Sequence, residues 1–536
     1  MASPFARHLG TNYCPTDAEV LQIKNLLAAP RRQLRSLDEE ITQLQQTIQN
    51  LVQKHRDLSK YVEEHTALVS PMRRLPQDIL CEIFLACLPT HRNCAMSASE
   101  APVLLGRICS AWRTISLTSP RLWARLHIVE PGEYDKNTVP QRLEIVKMWL
   151  RRSRSCPLSV SLYCKHPYVP PPPHPYNVFL KELVLHAKRW EYVSVTTSRG
   201  AFQAVEHLKA TDVPMLKGVA ASLHGEQRPD VPRWTQFGIL RAPLISSFST
   251  SARDFNLLVP PPLHWHLLTE LTVSGPGLET PLDTASALET LSRCPQLRTC
   301  CLTIRPSPSL LPPPVTLLSL HSLELHLNDM SSPFLDRLHA PELRKFVLRG
   351  RDEALPAFLR SCSILETFEL DHSDFQKSSL SDAFRALPPT LRHLTLWECK
   401  SPEISLSSRA RPIPLDDYAF AALVPILESS TEYSCPSLES LTITSPHDVS
   451  DWALREFIVR RCTDATPSLK RVRVVFQRPM EVDLKAEFKL FLNAGLQMDL
   501  VYPPPRRHPS RRSPWDGLVD APQRLSRTTL DYSTHL

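Results

Sequence analysis

The sequence predicts an α/β repeat protein: an N-terminal helical coiled coil, a small three-helix domain, then a long array of parallel strands alternating with helices. Three observations predict it. From Leu34 to Val62 apolar residues recur in steps of three and four, the spacing of a seam along one side of a helix. Between Pro71 and Leu126 large apolar side chains are crowded into a short stretch. Beyond Trp190 a pattern L-x-x-L-x-L returns again and again, as in arrays whose units bury their faces on one another.

Composition bounds the answer. At 536 residues the chain has room for several domains, since one usually takes ~100 to 200 residues. Only 12 glycines against 51 prolines leave little material for phosphate-cradling loops. A balance of 62 basic and 55 acidic residues, +7 in all, is weak support for nucleic acid as a partner. The 14 cysteines form no C-x-x-C pair, and MASPFARHLGTNYC has no apolar signal core. Reduced thiols in a soluble protein of the cytoplasm and/or nucleus are expected, because no apolar run approaches the ~18 residues of a membrane span.

Residues 1–30 are expected to be a mobile N-terminus with one short helix, AEVLQIKNLLAA, ended by Pro30. Residues 31–69 form the coiled-coil helix, with Leu34, Leu37, Ile41, Leu44, Ile48, Leu51, Leu58 and Val62 along a seam roughly 43 Å long at 1.5 Å per residue. His55 interrupts it. A polar group there fixes register or oligomer state, or acts as a pH switch, against the plainer reading of a tolerated exposed histidine. The seam pairs either with a second chain, as a homodimer, or back on the neighbouring helices.

Residues 70–126 open with RRLPQDILCEIFLACL. Proline costs nothing in the first turn, where Asp78 also meets the positive helix end. Leu75, Ile79, Leu80, Ile83 and Leu88 make one side apolar, and PVLLGRICSAWRTISLTSPRLWARL supplies a second apolar helix ending in a Ser-Pro-x-Leu-Trp turn. Val103, Leu104, Ile108, Trp112, Ile115 and Trp123 exceed what so small a domain hides, since such domains bury only ~60% of their unfolded surface. The surplus calls for a partner.

This stretch resembles an F-box. The matching residues are Leu75, Pro76, Ile79, Leu80, Ile83 and Phe84, then Ile108, Cys109, Trp112 and Arg113, and finally Pro120, Leu122 and Trp123. One departure is the insertion THRNCAMSASEA between the first two helices. The resemblance implies docking on a Skp-family adaptor through Leu75, Pro76, Ile79, Ile83, Leu104, Ile108 and Trp112, with a cullin scaffold beyond.

Residues 127–188 read as an adaptor and proline-rich linker, with a helix in VPQRLEIVKMWLRRS, a strand in CPLSVSLYC and an extended VPPPPHPY. Across 189–502 clear copies of the repeated pattern start at Leu268, Leu297, Leu320, Leu343, Leu365, Leu391, Leu438 and Leu469, with weaker ones at Trp190 and Leu216. From Leu268 to Leu391 they start 22 to 29 residues apart, within the ~20 to 29 of leucine-rich repeats. They resemble the degenerate leucine-rich repeats, forming a solenoid, that often follow an F-box, though the consensus asparagine is missing. The helical pieces DTASALETLSRC, EALPAFLRSC and DWALREFIVRRC end in Cys294, Cys362 and Cys462, read as small core residues. Residues 503–536, rich in proline, arginine and serine, are expected to be a disordered basic tail.

Catalysis finds no anchor. No G-x-S-x-G, P-loop or H-E-x-x-H occurs, and Gly275 and Gly277 form only a G-x-G. His264 and His266 lack a third ligand at suitable spacing, so no metal and no cofactor is expected. Recognition by strand faces remains. Alternation turns Leu348, Leu370, Leu396 and Val474 inward and offers Lys345, Arg349, Asp371, Trp397 and Arg473 to a target protein, beside Glu270, Thr272, Glu324, His326, Glu369, His393 and Arg471. The resemblance implies the non-catalytic substrate-receptor subunit of an SCF-type (Skp/cullin/F-box) E3 ubiquitin ligase, which acts by proximity. Two alternatives stand behind it: an interaction scaffold unconnected to a ligase, and nucleic-acid binding through the basic tail.

Overall fold

The computed structural model describes residues 3–69, 71–131, 138–164, 178–224, 234, 237–251, 260–274, 282–305, 312–327, 334–373, 375–398, 415–424, 435–444, 449–463 and 468–503. The chain divides into two compact units, Met1–Ala86 and Cys87–Leu536. That boundary falls inside the stretch expected as one domain, 70–126. The residues after Ala86 run directly into the sheet of the second unit, whose first strand starts at Arg125.

In the first unit a single helix, α1, spans Asp17–Leu68. Its 52 residues reach about 78 Å at 1.5 Å per residue. A capping box starts it, with the Thr16 backbone N–H donating to Glu19 at 2.8 Å. Pro30 was expected to end a short helix, and it does not. An internal proline removes one backbone bond, yet the turns before it have their own cap and the seam continues after it. Leu34, Leu37, Ile41, Leu44, Ile48, Leu51, Leu58 and Val62 are all 51% to 61% exposed, so none of the described residues covers them. Helix α2, Gln77–Ala86, follows and buries Leu80 and Phe84.

Among the described residues of the second unit, fourteen strands hydrogen-bond side by side in one sheet in chain order, every pair parallel. Each of the eight clear L-x-x-L-x-L copies carries one, from Glu270–Ser274 to Arg471–Val475. The pattern explains the packing: Leu365 turns into the core ahead of its strand, and Phe368 and Leu370 follow on alternate positions, all fully buried. Phe346 stacks on Phe368 in the next strand at 5.4 Å and meets Phe358 of the helix Leu355–Ser361 edge-on at 5.3 Å. The core thus lies between sheet and helices. Cys294, Cys362 and Cys435 fill small buried sites, where burial pushes the Cys294 and Cys435 thiols up to about 12. Cys462 ends its helix half-buried.

The sheet starts earlier than the sequence segments implied. Arg125–Val129 and Leu158–Tyr163, assigned above to the end of the helical domain and to a linker, are its first two strands. Trp123 packs edge-on against Trp149 of the helix Val139–Arg152 at 4.7 Å. Two further strands, Ser247–Ser251 and Gln497–Val501, lack the leucine pattern. The proline run, the G-x-G, the last six residues of DDYAFAALVPILESS, whose described part holds a short helix at Asp417–Ala421, and the tail beyond Pro503 lie outside the described residues.

The insertion after α2 closes the sheet's first edge. His127 N–H donates to Cys94 O at 2.8 Å and Ala95 bridges to His127. Asn93 donates to Ser161 Oγ at 3.1 Å and accepts from Ser159 Oγ at 2.8 Å, while Arg125 donates to Pro89 O at 2.7 Å. An uncovered edge strand invites pairing with foreign strands, and here a loop occupies it.

Candidate functional sites

Two kinds of surface stand out. The first is apolar and occurs in each unit separately. In the first unit Leu75 is half-buried and Pro76 exposed just before α2, and on α2 Leu80 and Phe84 are buried, Ile83 is half-buried and Ile79 stands 46% open. Asp78 sits in the first turn, as expected. In the second unit, the helix expected from Val103 onward breaks in two. A 3-10 turn at Leu105–Arg107 is followed by α3, Ser110–Thr118. Cys109 is extended and its Sγ accepts from Trp112 N–H at 3.5 Å, so it caps α3 instead of continuing a helix. Arg113 Nε donates to Gly106 O at 2.7 Å and Trp123 Nε1 to Ser116 O at 2.7 Å, fixing the corner. Ile115, Leu122 and Trp123 are buried, Trp112 is half-buried, and Leu104 and Ile108 are 41% and 55% exposed. Exposed branched aliphatics on short rigid elements are the raw material of a docking surface.

The second surface is the sheet face turned away from the core. Register places Val347 between Glu324 and Glu369 of the two flanking strands, and His326 beside Arg349. Glu324 Oε1 accepts from His326 Nε2 at 2.8 Å and lies 3.4 Å from Arg349 Nη2. The His326 hydrogen bond holds the Glu324 carboxyl below its usual range against the opposing effect of burial, and the Arg349 and Lys345 charges add to it. Arg349 then reaches over the Trp397 ring, 4.8 Å from its centroid. Lys345 pairs with Glu369 at 2.9 Å and Arg473 with Asp499 at 3.4 Å. The face is a set of cross-strand charge pairs around one half-buried indole.

Four of the five residues expected to meet a target, Lys345, Arg349, Trp397 and Arg473, are exposed or half-exposed on this face. Asp371 is not. It is 5% exposed, and its Oδ1 accepts from the Ser373 N–H at 3.1 Å and from the Ser373 hydroxyl. At the end of its strand the carboxylate is taken up by the turn that follows, so Asp371 holds that turn and offers no contact. Leu348, Leu370, Leu396 and Val474 are fully buried.

Cys301 is the neighbour that pattern reading missed. With Glu324 and His326 it brings three ligand-type atoms within 4.8 Å of one another. The only sequence signal was a cysteine at an outward position of LRTCCL. The carboxylate is already engaged by His326 and Arg349, and burial, then the nearby Glu324 charge, pushes the thiol up to about 11. The group works as a polar network within the face. His264 caps the 3-10 turn Trp265–Leu267 and His266 lies within it, their rings 6.2 Å apart. A cleft of about 180 Å³ beside Arg351, Asp352 and Phe375 is below the ~300 Å³ at which ligand pockets begin.

No protein-family model and no curated protein matches the chain. Among solved structures, the crystal structure of a Rad7 and Elc1 complex in yeast aligns with 51% of this chain and 74% of that one, at 15% identity and a TM-score of 0.28. So loose a superposition carries no argument. No helix among the described residues is long and apolar enough to cross a membrane.

Proposed function

We propose that this protein is the substrate-receptor subunit of an SCF-type ubiquitin ligase: an F-box that docks on a Skp-family adaptor held by a cullin, and a leucine-rich-repeat solenoid that holds a target protein. The reading rests above all on the LPxxILxxIF residues of α2, where Leu80 and Phe84 serve the fold while Ile79 is left to solvent. Folding alone gives no reason to keep an isoleucine there. Leu104 and Ile108 make the same point on the second unit. The charged sheet face, with Arg349, Trp397, Lys345 and Arg473, supplies the target contacts, and Trp397 beside Arg349 has the composition of a binding hot spot. The subunit contributes proximity and no catalytic group, and works in the cytoplasm and/or nucleus.

Capture of the purified adaptor by the full chain tests this reading. Burial of one such side chain is worth roughly 1.5 to 3 kcal/mol, so Ile79→Asp, or Leu75→Ala with Pro76→Ala, should weaken capture by about tenfold to a hundredfold or more. Thermal unfolding of the sheet should stay unchanged. An adaptor that fails to bind the parent chain, or binds the variants equally well, removes the ligase reading and leaves the protein-interaction scaffold.

A further inference from the structure

The exposed seam of α1 has the chemistry of one particular partner. Taking Leu34 as position a of a heptad, the a positions are Leu34, Ile41, Ile48, His55, Val62 and Val69, and the d positions Leu37, Leu44, Leu51, Leu58 and His65. The same register runs back through Leu27, Ile23 and Val20, interrupted by Pro30 at the intervening d position. β-Branched residues at a with leucine at d are the combination that packs well in a two-stranded parallel coiled coil. We infer that α1 pairs with α1 of a second copy of this chain, parallel and in register.

The flanking positions agree. In a parallel pair each g residue meets the e residue of the next heptad on the other chain, which brings Gln33 to Asp38, Glu40 to Gln45, Thr47 to Val52, Lys54 to Ser59 and Tyr61 to Thr66 of the second copy. No like charges meet. Val52 and Tyr61, 42% and 59% exposed, widen the apolar stripe at these flanks. The outer positions of the same heptads are polar or charged, such as Glu39, Gln46, Gln53 and Lys60. In-register pairing also sets His55 against its own copy, a polar layer of the kind that fixes register at a cost in stability. Val20, Ile23 and Leu27 are half-buried, but from Leu34 to Val62 no described residue of the chain covers the seam, and a helix this long draws its stability chiefly from packing of its apolar face.

Sedimentation of the full chain at micromolar concentration tests the pairing. The expected mass is about twice the 60.8 kDa of one chain. Ile48→Asp should return it to a single chain while the thermal transition of the sheet is kept, and His55→Ile should tighten the dimer by about tenfold. Orientation is read by oxidative cross-linking. Leu44→Cys should give a 44-to-44 peptide in the mass spectrum, and Gln46→Cys, on the outer face, should not. A parent chain that sediments as one copy or as three, an Ile48→Asp variant that remains dimeric, a weaker His55→Ile dimer, or cross-linking as efficient at 46 as at 44 would each overturn the inference. It does not depend on adaptor binding, so either proposal can fail alone.

Discussion

The two ends of the sheet are built on the same backbone and the same core but carry different chemistry. Towards the N-terminus most outward positions are small and hydroxylated, such as Ser159, Ser161, Ser194, Thr196, Ser222, Ser247, Ser249, Thr272 and Ser274, with Tyr163, Tyr192 and Glu270 as exceptions. Towards the C-terminus Thr367, Thr395, Ser440 and Thr442 are joined by Glu324, His326, Lys345, Arg349, Glu369, Trp397, Arg473 and Asp499. The edges repeat the contrast. The first is closed by neutral hydrogen bonds among Asn93, Ser159, Ser161 and His127. At the last, the fully buried Asp451 accepts from Arg478 at 2.8 Å, from Glu481 and Val482 N–H at 2.7 and 3.0 Å, and from Tyr502 at 3.0 Å. Folding constrains the inward positions of both ends alike, which leaves the outward ones free to differ. Under the proposed function, the target contacts belong to the end where this chemistry is concentrated.

The largest expected effect separates core from face at the charged end. Leu396→Asp puts an unpaired charge into a fully buried site and should cost several kcal/mol, abolishing the cooperative thermal transition of the strands around it. A folded protein carrying aspartate at 396 would mean that inward and outward positions have been exchanged.

Next come the two edges. Asp451→Ala removes the closer of the two carboxylates beside Arg478, itself only 14% exposed, leaving Glu481 at 3.5 Å, and should destabilise by about 3 kcal/mol. Acid should open the two edges in sequence. Burial, then the Arg92 charge, holds His127 below its ordinary 6.5, with Glu100 opposing. The fold therefore keeps the neutral ring, and the stability this confers is lost as pH falls from 6.5 towards the lowered value. For Asp451 burial pushes upward, but Arg478 and the two backbone N–H groups outweigh it and hold the carboxyl below its ordinary 3.8. Its contribution is complete above 3.8 and goes only as pH falls below that. Amide exchange followed against pH should show residues 125–129 opening before residues 497–501; the reverse order would contradict this assignment.

A smaller contrast lies in two glycines. Gly350 has φ +88°, and a Cβ there would sit 2.1 Å from the Leu327 carbonyl oxygen. Gly350→Ala should cost roughly 2 to 3 kcal/mol, because backbone cannot move aside. At Gly218 the added Cβ meets the Tyr192 ring at 2.7 Å, an exposed side chain that can swing away. Gly218→Ala should therefore stay within about 1 kcal/mol, as denaturant titration of the two variants would register. The smallest effects on folding belong to the face itself. Trp397→Ala and Ser249→Lys should each shift stability by less than about 1 kcal/mol. Only Trp397→Ala should reduce capture of a target protein, and equal loss in both would spread recognition along the whole face.

Much of this fold was legible in the residues alone. L-x-x-L-x-L located eight strands because a parallel strand buried on one side must repeat its apolar groups with period two, and the heptad seam located α1 because packing needs a stripe on one side of a helix. What escaped were elements whose apolar residues are sparse or displaced: Ser247–Ser251, with Phe248 its one buried apolar residue, Gln497–Val501 at the edge, and Arg125–Val129. Pro30 misled because a proline's lost hydrogen bond is local, whereas helix continuation depends on the turns to either side. The outward surface was half legible. Alternation told which residues leave the core, so Arg349 and Trp397 were found by counting, but not which of them neighbouring turns then claim. Asp371 was taken up by Ser373, and Cys301 joined Glu324 from a strand 23 residues earlier. Such partnerships depend on register between strands distant in sequence, and only the tertiary structure decides register.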